Sequence, residues 1–545
     1  MRAARAVLLA AALLAAPAFA EEPGERGAQI YQTGAGVSAR VLGSARLPGA
    51  MAACVRCHRP SGYGVAEGEA LASAIAAPEL FAPLAPRRDR LMREFYQDRL
   101  GPAALAVAHT PRSRPAYDGE ADLARALREG VDPAGRALSP AMPRYEIGDA
   151  DVAALTAYLR TLGAEPDPGV DATTVTLATI VGPDVAPARA QAMLDVMTAF
   201  VERRNREITR EQARPGFSPL YKAEFAAARR LWRLDVWRLE GPRAGWPAQL
   251  RAAQAENPAF AVVSGLAGGD WTPIDAFCEA ERLPCLFPIT DWPAPEPGHF
   301  TLYLSRGLPG EAAHIADRLA AQGVSQATQV NADTDDAIAL ARFFETAAAA
   351  QGVSVATRQP GELTDDDMKT GAFVLWMAAA QVDALTAGPL ARFRGPVFVA
   401  GGLVADERDI VAPAPGRPVE AAWRFAPRDI GIPQRRRVRG WLAARRVRAP
   451  DFERTQFDAY LALDALDHAL VSMVDRYSRD LLIESIEHMI EGGLNTGAYP
   501  RLSLGPGQRF AAQAMSFETL KAPEAACPPG AARPPAARCK ASPRQ

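Results

Sequence analysis

Cys54-Val55-Arg56-Cys57-His58 places two thiols and an imidazole within five residues, and no other feature constrains the surrounding chain as tightly. The spacing is that of haem attachment: the thiols add to the two vinyl groups of the porphyrin, and the adjacent imidazole is held beneath the iron. A redox dithiol and half of a zinc site are the other readings. The first calls for a strand-to-helix context, and the second for another Cys/His pair nearby. Neither is present, because the next cysteine is Cys278. The expectation is one covalently bound haem c, with Cys54 and Cys57 as thioether attachments and His58 as an iron ligand.

The start of the chain fits that chemistry. Arg2 and Arg5 precede an apolar run that ends in Ala18-Phe19-Ala20, ahead of Glu21-Glu22. This is the pattern of a secretory signal peptide over residues 1–20, cleaved after Ala20. The run is shorter than the roughly 20 residues a membrane span needs, so the mature protein is expected to be soluble and exported to the periplasm. In an oxidising compartment the remaining cysteines, Cys278 with Cys285 and Cys527 with Cys539, are disulfide candidates. With 545 residues, 61 basic against 63 acidic side chains and 48% apolar content, the chain is too long for one domain and too apolar for disorder. The near-neutral balance gives no electrostatic footprint for nucleic acid.

Residues 21–165 read as a helical haem domain. Leu138-Ser139-Pro140-Ala141-Met142-Pro143-Arg144-Tyr145 is a Pro-braced extended loop. It precedes Gly148-Asp149-Ala150-Asp151 and then Val152, Leu155, Leu159 and Leu162 at helical spacing. This loop and helix resemble the distal loop and terminal helix of a class I cytochrome c. Gly27-Ala28-Gln29-Ile30-Tyr31 resembles that family's first helix, which crosses the last one, here near Tyr158. The resemblance implies an all-α domain with His58 and Met142 as axial ligands, and hence outer-sphere electron transfer. The interval from His58 to Met142 is longer than a minimal cytochrome needs, and it leaves Met92 and His109 as rival ligands. Arg114-Pro115-Ala116-Tyr117, Leu123 to Pro133 and the Met142 loop are together similar to modules that take electrons from periplasmic quinoprotein dehydrogenases. That similarity implies a partner class.

After Glu165-Pro166-Asp167-Pro168-Gly169 the pattern changes, and residues 166–171 read as a linker. Apolar runs at 175–181, 259–264, 301–304, 372–376 and 396–399 alternate with helices at 187–206, 275–281 and 310–321, which predicts parallel sheets covered by helices over residues 172–520. Phe200 to Asn205, Phe277 to Cys285, Gln456 to Tyr460 and Tyr499 to Arg509 resemble segments of the type I periplasmic substrate-binding proteins, the branched-chain amino acid binding family of ABC transporters. The resemblance implies an α/β unit of two lobes with a ligand cleft. Its cleft loops would be Ser264 to Trp271 and Pro288 to Trp292, with Asp270, Trp271, Thr290 and Asp291 as candidate ligand-binding residues. Where amino-acid binders of the family carry paired hydroxyls, this chain has Gly268-Gly269-Asp270-Trp271. An aspartate there repels a ligand carboxylate and suits a cation or polyol, while the other reading makes these loops structural.

Arg435, Arg436, Arg437, Arg439, Arg445, Arg446 and Arg448 form the one dense basic run. It reads as a solvated helix face, with docking to an acidic redox partner as the second reading. His299, His314, His468 and His488 share no metal spacing, and no hydrolase or transferase constellation is found. Residues 521–545 are rich in Pro and Ala and read as a disordered tail. Three functions follow: an electron carrier fused to a docking or ligand-sensing unit, a solute-binding protein of an ABC transporter with an accessory haem, or a haem enzyme with an open iron site.

Overall fold

The computed structural model describes residues 23–41, 46–67, 70–83, 114–213, 229–405, 418–427, 430–490 and 494–520. The signal-peptide segment, Met92, His109, Cys527, Cys539 and the tail lie outside the described residues. The chain divides between Glu165 and Pro166 into two compact units.

In the first unit, helix Pro23–Thr33 crosses helix Asp149–Thr161 at Gly27. A Cβ there would stand 2.1 Å from the carbonyl oxygen of Ala154 and 2.7 Å from Cβ of Tyr158, so the two backbones meet at a distance that only glycine permits. One turn on, the rings of Tyr31 and Tyr158 lie 5.3 Å apart, and Arg26 Nε donates to Asp151 at 2.9 Å. The second helix starts after Gly148 with Asp149 and Asp151 in its first turn, where negative charge suits the helix dipole. It buries Val152, Leu155 and Leu159, the helical spacing read from the sequence.

Helical periodicity gives no sign of the short strands that join this scaffold. Ser38–Arg40 pairs antiparallel with Arg46–Pro48 on one side and Arg144–Glu146 on the other, which ties the exit of the Met142 loop to the early part of the chain. Gly27→Ala is expected to destabilise the first unit by about 2 kcal/mol or more, because the obstructing atoms are backbone and cannot rotate aside. Thermal melting of the haem absorbance in the holoprotein checks this, and an unchanged midpoint would contradict it.

The second unit holds two parallel sheets. In spatial order the first runs Thr301–Leu302, Cys285–Leu286, Ala261–Val263, Thr174–Val181 and Leu231–Arg238, all parallel. The second runs Ser354–Arg358, Gln326–Asn331, Ala372–Trp376, Val397–Ala400 and Val419–Trp423, again parallel, and Ser516–Leu520 closes it antiparallel. Counted in its own chain order, each sheet places its second strand at one edge and its first beside it. This is a doubly wound arrangement that opens a crevice at the carboxyl ends of the strands. Helices Pro187–Ala213, Gly307–Ala321, Asp335–Ala350 and Glu453–Met473 cover the sheets and bury aliphatic and aromatic faces in one continuous core.

Residues 166–171 pack onto this unit and do not hang free as a linker would. The Asp167 amide donates to the Tyr477 carbonyl at 2.9 Å, its carboxylate accepts the Arg479 amide at 2.6 Å, and Gly169 presses against the backbone of Phe260. Cys278 and Cys285 are joined by a disulfide between helix Thr272–Ala280 and the strand that follows it. Closing so short a loop stabilises by about 2–3 kcal/mol on the chain-entropy account.

Candidate functional site

The first site is built on a single helical turn. Cys54 precedes helix Val55–His58, and the His58 amide donates back to the Cys54 carbonyl at 2.8 Å, so both cysteines and the histidine are held by one local fold. Cys54 is buried, Cys57 is exposed, and neither is in a disulfide. The chain then turns through Arg59, at φ +64°, and loops round so that the Ser73 carbonyl accepts His58 Nδ1–H at 2.8 Å. With Nδ1 engaged, Nε2 carries the lone pair available to a metal. Burial lowers the His58 pKa against the opposing pull of that hydrogen bond, which favours the neutral imidazole a metal needs. Burial also pushes the free Cys54 thiol up to about 11.

Met142 is half-buried against the core that contains Cys54, Tyr145 and Leu155. Its amide donates to the Ser139 carbonyl at 3.1 Å, and its carbonyl accepts Arg144 Nη1 at 2.6 Å. Tyr145, three residues on, donates its hydroxyl to the Ala52 carbonyl at 2.5 Å. The Met142 loop is thereby fastened at its exit to the segment that enters the cysteine motif. Two thiols free to form thioethers, an imidazole with its tautomer set and a braced thioether on one core are the donor set a covalently bound haem requires.

The second site is a small polar cavity of about 20 Å³ at strand carboxyl ends in the α/β unit, room for roughly one water molecule. Thr290 and Asp291 line it, as does Arg424, which follows strand Val419–Trp423. Asp291 is paired with Arg424 and lies 3.6 Å from Arg454. Burial works against the charge of Asp291, but the guanidiniums of Arg424, Arg454 and Arg189 outweigh it and hold the carboxyl at about 2. On its other side Arg424 Nε faces Glu311 at 3.5 Å, and Glu311 also accepts the Gly402 amide at 2.8 Å. Glu311 is fully buried, and burial raises its pKa to about 7 despite Arg424.

Residues 25–163 match the cytochrome c family model. Residues 25–163 are a cytochrome c domain. Membership of that family carries covalently bound haem c with it, and the motif of this cytochrome unit has the groups to hold one. No curated protein matches the chain in sequence. Among solved structures, the chain is similar to a branched-chain amino acid ABC transporter protein from Thermus thermophilus with bound valine, at 14% identity and a TM-score of 0.43, covering 64% of this chain and 93% of that one. It is similar also to an ABC transporter substrate-binding protein from Desulfitobacterium hafniense in complex with Leu, at 15% identity and a TM-score of 0.41, covering 64% and 98%. A leucine-binding protein from Thermotoga maritima stands at 14% identity and a TM-score of 0.40, covering 64% and 98%. The pair of parallel sheets and their strand orders show an α/β unit behind the cytochrome domain.

Of the four cleft candidates, the structure brings Thr290 and Asp291 to the cavity and places the other two elsewhere. Asp270 caps helix Thr272–Ala280, accepting the Thr272 amide at 2.9 Å and its hydroxyl at 2.6 Å. Trp271 is 1% exposed in the core of the first sheet. Two aspartates line the cavity: Asp291, which is paired with arginines, and Asp458, which accepts the Tyr499 hydroxyl at 3.2 Å. Sequence reading missed Arg189, Arg424 and Arg454 altogether.

The basic run is not a uniformly solvated face. Arg435 is buried and donates to the Gly497 carbonyl at 2.6 Å, and Arg439 forks onto Glu453 at 2.9 and 2.6 Å. Among the described residues no group of three or more His, Cys, Asp or Glu is placed to hold a metal, and no helix is long and apolar enough to cross a membrane.

Glu311 makes a pH prediction. Its folded pKa of about 7 lies above the ordinary carboxyl value, so its contribution is intact at low pH and is lost as pH rises from about 4.5 to 7. Tryptophan fluorescence reports the second unit alone, since all eight tryptophans lie beyond residue 165. Glu311→Gln is expected to flatten the fall in Tm between about pH 5 and 7. An equal slope in wild type and variant would contradict this.

Proposed function

We propose that the protein is a periplasmic monohaem cytochrome c that carries electrons, with a binding-protein-like unit that docks it to its donor or senses a small ligand. The observation that carries the reading is the cysteine–histidine turn in a cytochrome c domain, with Met142 braced on the same core. When bound, haem supplies an iron that cycles between two oxidation states. Cys54 and Cys57 would hold it, His58, with Nδ1 fixed by Ser73, would ligate the iron, and Met142 would supply the second protein ligand. A soft thioether favours the reduced metal and so raises the potential. Ligation by His58 and Met142 together would leave oxygen and peroxide no place on the iron and would restrict the site to outer-sphere transfer.

The donor in this reading is a periplasmic dehydrogenase of the quinoprotein kind, supported by the likeness of the segments around Arg114 and Leu123 to modules serving such enzymes. The signal-peptide pattern supports export. The alternative, a solute-binding protein of an ABC transporter with an accessory haem, keeps the same haem ligands and differs in giving the second unit the principal task.

The test is Met142→Ala in the exported holoprotein. The haem should stay covalently attached, because Cys54 and Cys57 are untouched. The oxidised spectrum should lose its weak Met–iron band, and the reduction potential should fall. An unchanged spectrum and potential would remove Met142 from the iron. Mixing the wild-type protein with a reduced quinoprotein dehydrogenase should reduce the haem stoichiometrically, and no reduction would sink the donor assignment.

A further inference from the structure

The cavity at the strand ends has a chemistry that the electron-transfer reading does not use. Three guanidiniums from separate parts of the fold line it: Arg189 near the start of helix Pro187–Ala213, Arg424 after strand Val419–Trp423, and Arg454 near the start of helix Glu453–Met473. Arg424 is 3% exposed, and its Nη1 is buried with no hydrogen-bond partner. A buried guanidinium N–H without an acceptor is costly and rare, and in a polar cavity it marks a place for an acceptor atom. Asp291 sets its carboxylate against both Arg424 and Arg454, and about a third of its side chain is exposed. It can therefore leave toward solvent, whereas Glu311, at 0%, cannot.

We propose that this cleft is a carboxylate site filled by the chain's own Asp291 as an internal ligand, and that its external ligand is a small organic carboxylate whose charged group displaces Asp291 from Arg424 and Arg454. The inference deepens the ligand-sensing half of the proposed function and rests on it. Planar guanidiniums bind a carboxylate through paired N–H donors; Asp291 takes one N–H of Arg424 and lies 3.6 Å from Arg454, so the Nη1 donor of Arg424 is left for a second acceptor oxygen. The free space of about 20 Å³ admits nothing larger than roughly a water while Asp291 is in place, so exchange is required and not simple addition. Thr290 and Ser305, which line the same cavity, offer hydroxyls to the rest of such a ligand. Of the other carboxylates at the cavity, Glu311 faces Arg424 and the Gly402 amide, and Asp458 accepts the Tyr499 hydroxyl at 3.2 Å.

The test is chemical rescue in the full-length holoprotein, read by tryptophan fluorescence. Asp291→Ala should lower the Tm of the second unit, and acetate or formate at millimolar concentration should restore it saturably by about 3 °C or more. Potassium chloride at equal ionic strength should not, and adding Arg424→Gln should abolish the effect. If Asp291→Ala does not fold, Asp291→Ser, which also vacates the space of the carboxylate, is read in the same way. In the wild type, a panel of small carboxylates should contain at least one that raises the Tm, and isovalerate should do no worse than leucine. The proposal is overturned if acetate and chloride act alike on the variant, if phosphate rescues and carboxylates do not, or if leucine stabilises and isovalerate does not. The haem spectrum and its reduction by dehydrogenase, recorded on the same samples, separate the two claims. If they are intact while rescue fails, the carboxylate assignment falls alone; if they are lost in the wild type, the electron-transfer reading falls.

Discussion

Everything in the first unit hangs on the close crossing of helix Pro23–Thr33 over helix Asp149–Thr161 at Gly27. The two helices are separated in sequence by the cysteine motif and the Met142 loop, so their contact closes the segment that carries the haem-binding residues. The aromatic pair Tyr31–Tyr158 and the Arg26–Asp151 ion pair flank the crossing. Tyr31 also donates its hydroxyl to the Arg59 carbonyl at 2.6 Å, which carries the order of the crossing directly into the turn after His58. The turn then needs only local bonds to fix the imidazole: Arg59 in a left-handed conformation and Ser73 as acceptor.

The α/β unit is organised by a different balance. Its cleft is wired by buried charge, with Arg424 between Asp291 and Glu311 and with Arg454 beside Asp291. Taking such groups out of water is expensive, and their mutual attraction repays this only when every partner is in place. The network is therefore poor as a source of stability and good as a switch, because removing or exchanging one charge changes the balance for all the others. Asp291 is the member that solvent can reach, and it is the one through which an external charge can act.

How much of this was legible in the sequence follows the range of the interactions. The haem motif and the terminal helix are local patterns, and they lie where the residues indicate. Strand Ala372–Trp376, buried throughout, is a continuous apolar run and is read to the residue. Edge strand Leu231–Arg238 alternates exposed charges with buried tryptophans, and strand Gln326–Asn331 buries Gln329 by pairing its amide with Trp376 and the Ala341 carbonyl, so neither looks apolar enough to be found. The cleft arginines were invisible for two reasons. All but four of the 61 basic residues are Arg, so no single one stands out. The pairs that matter are also distant in sequence, as with Arg189 and Thr455, 266 residues apart. Asp270, by contrast, looked like a ligand residue because a helix-capping aspartate and a cleft aspartate have the same local sequence.

The central claim is a haem held by Cys54 and Cys57 with both axial positions filled by His58 and Met142. The most direct measurement is the optical spectrum of the purified exported protein, oxidised, reduced and reduced under carbon monoxide, beside a denaturing gel stained for covalent haem. The account predicts haem that stays with the chain on the gel, a low-spin reduced spectrum, a weak Met–iron band at the red end of the oxidised spectrum and no response to carbon monoxide. A high-spin spectrum, or one that shifts with carbon monoxide, would show an open iron position and contradict it.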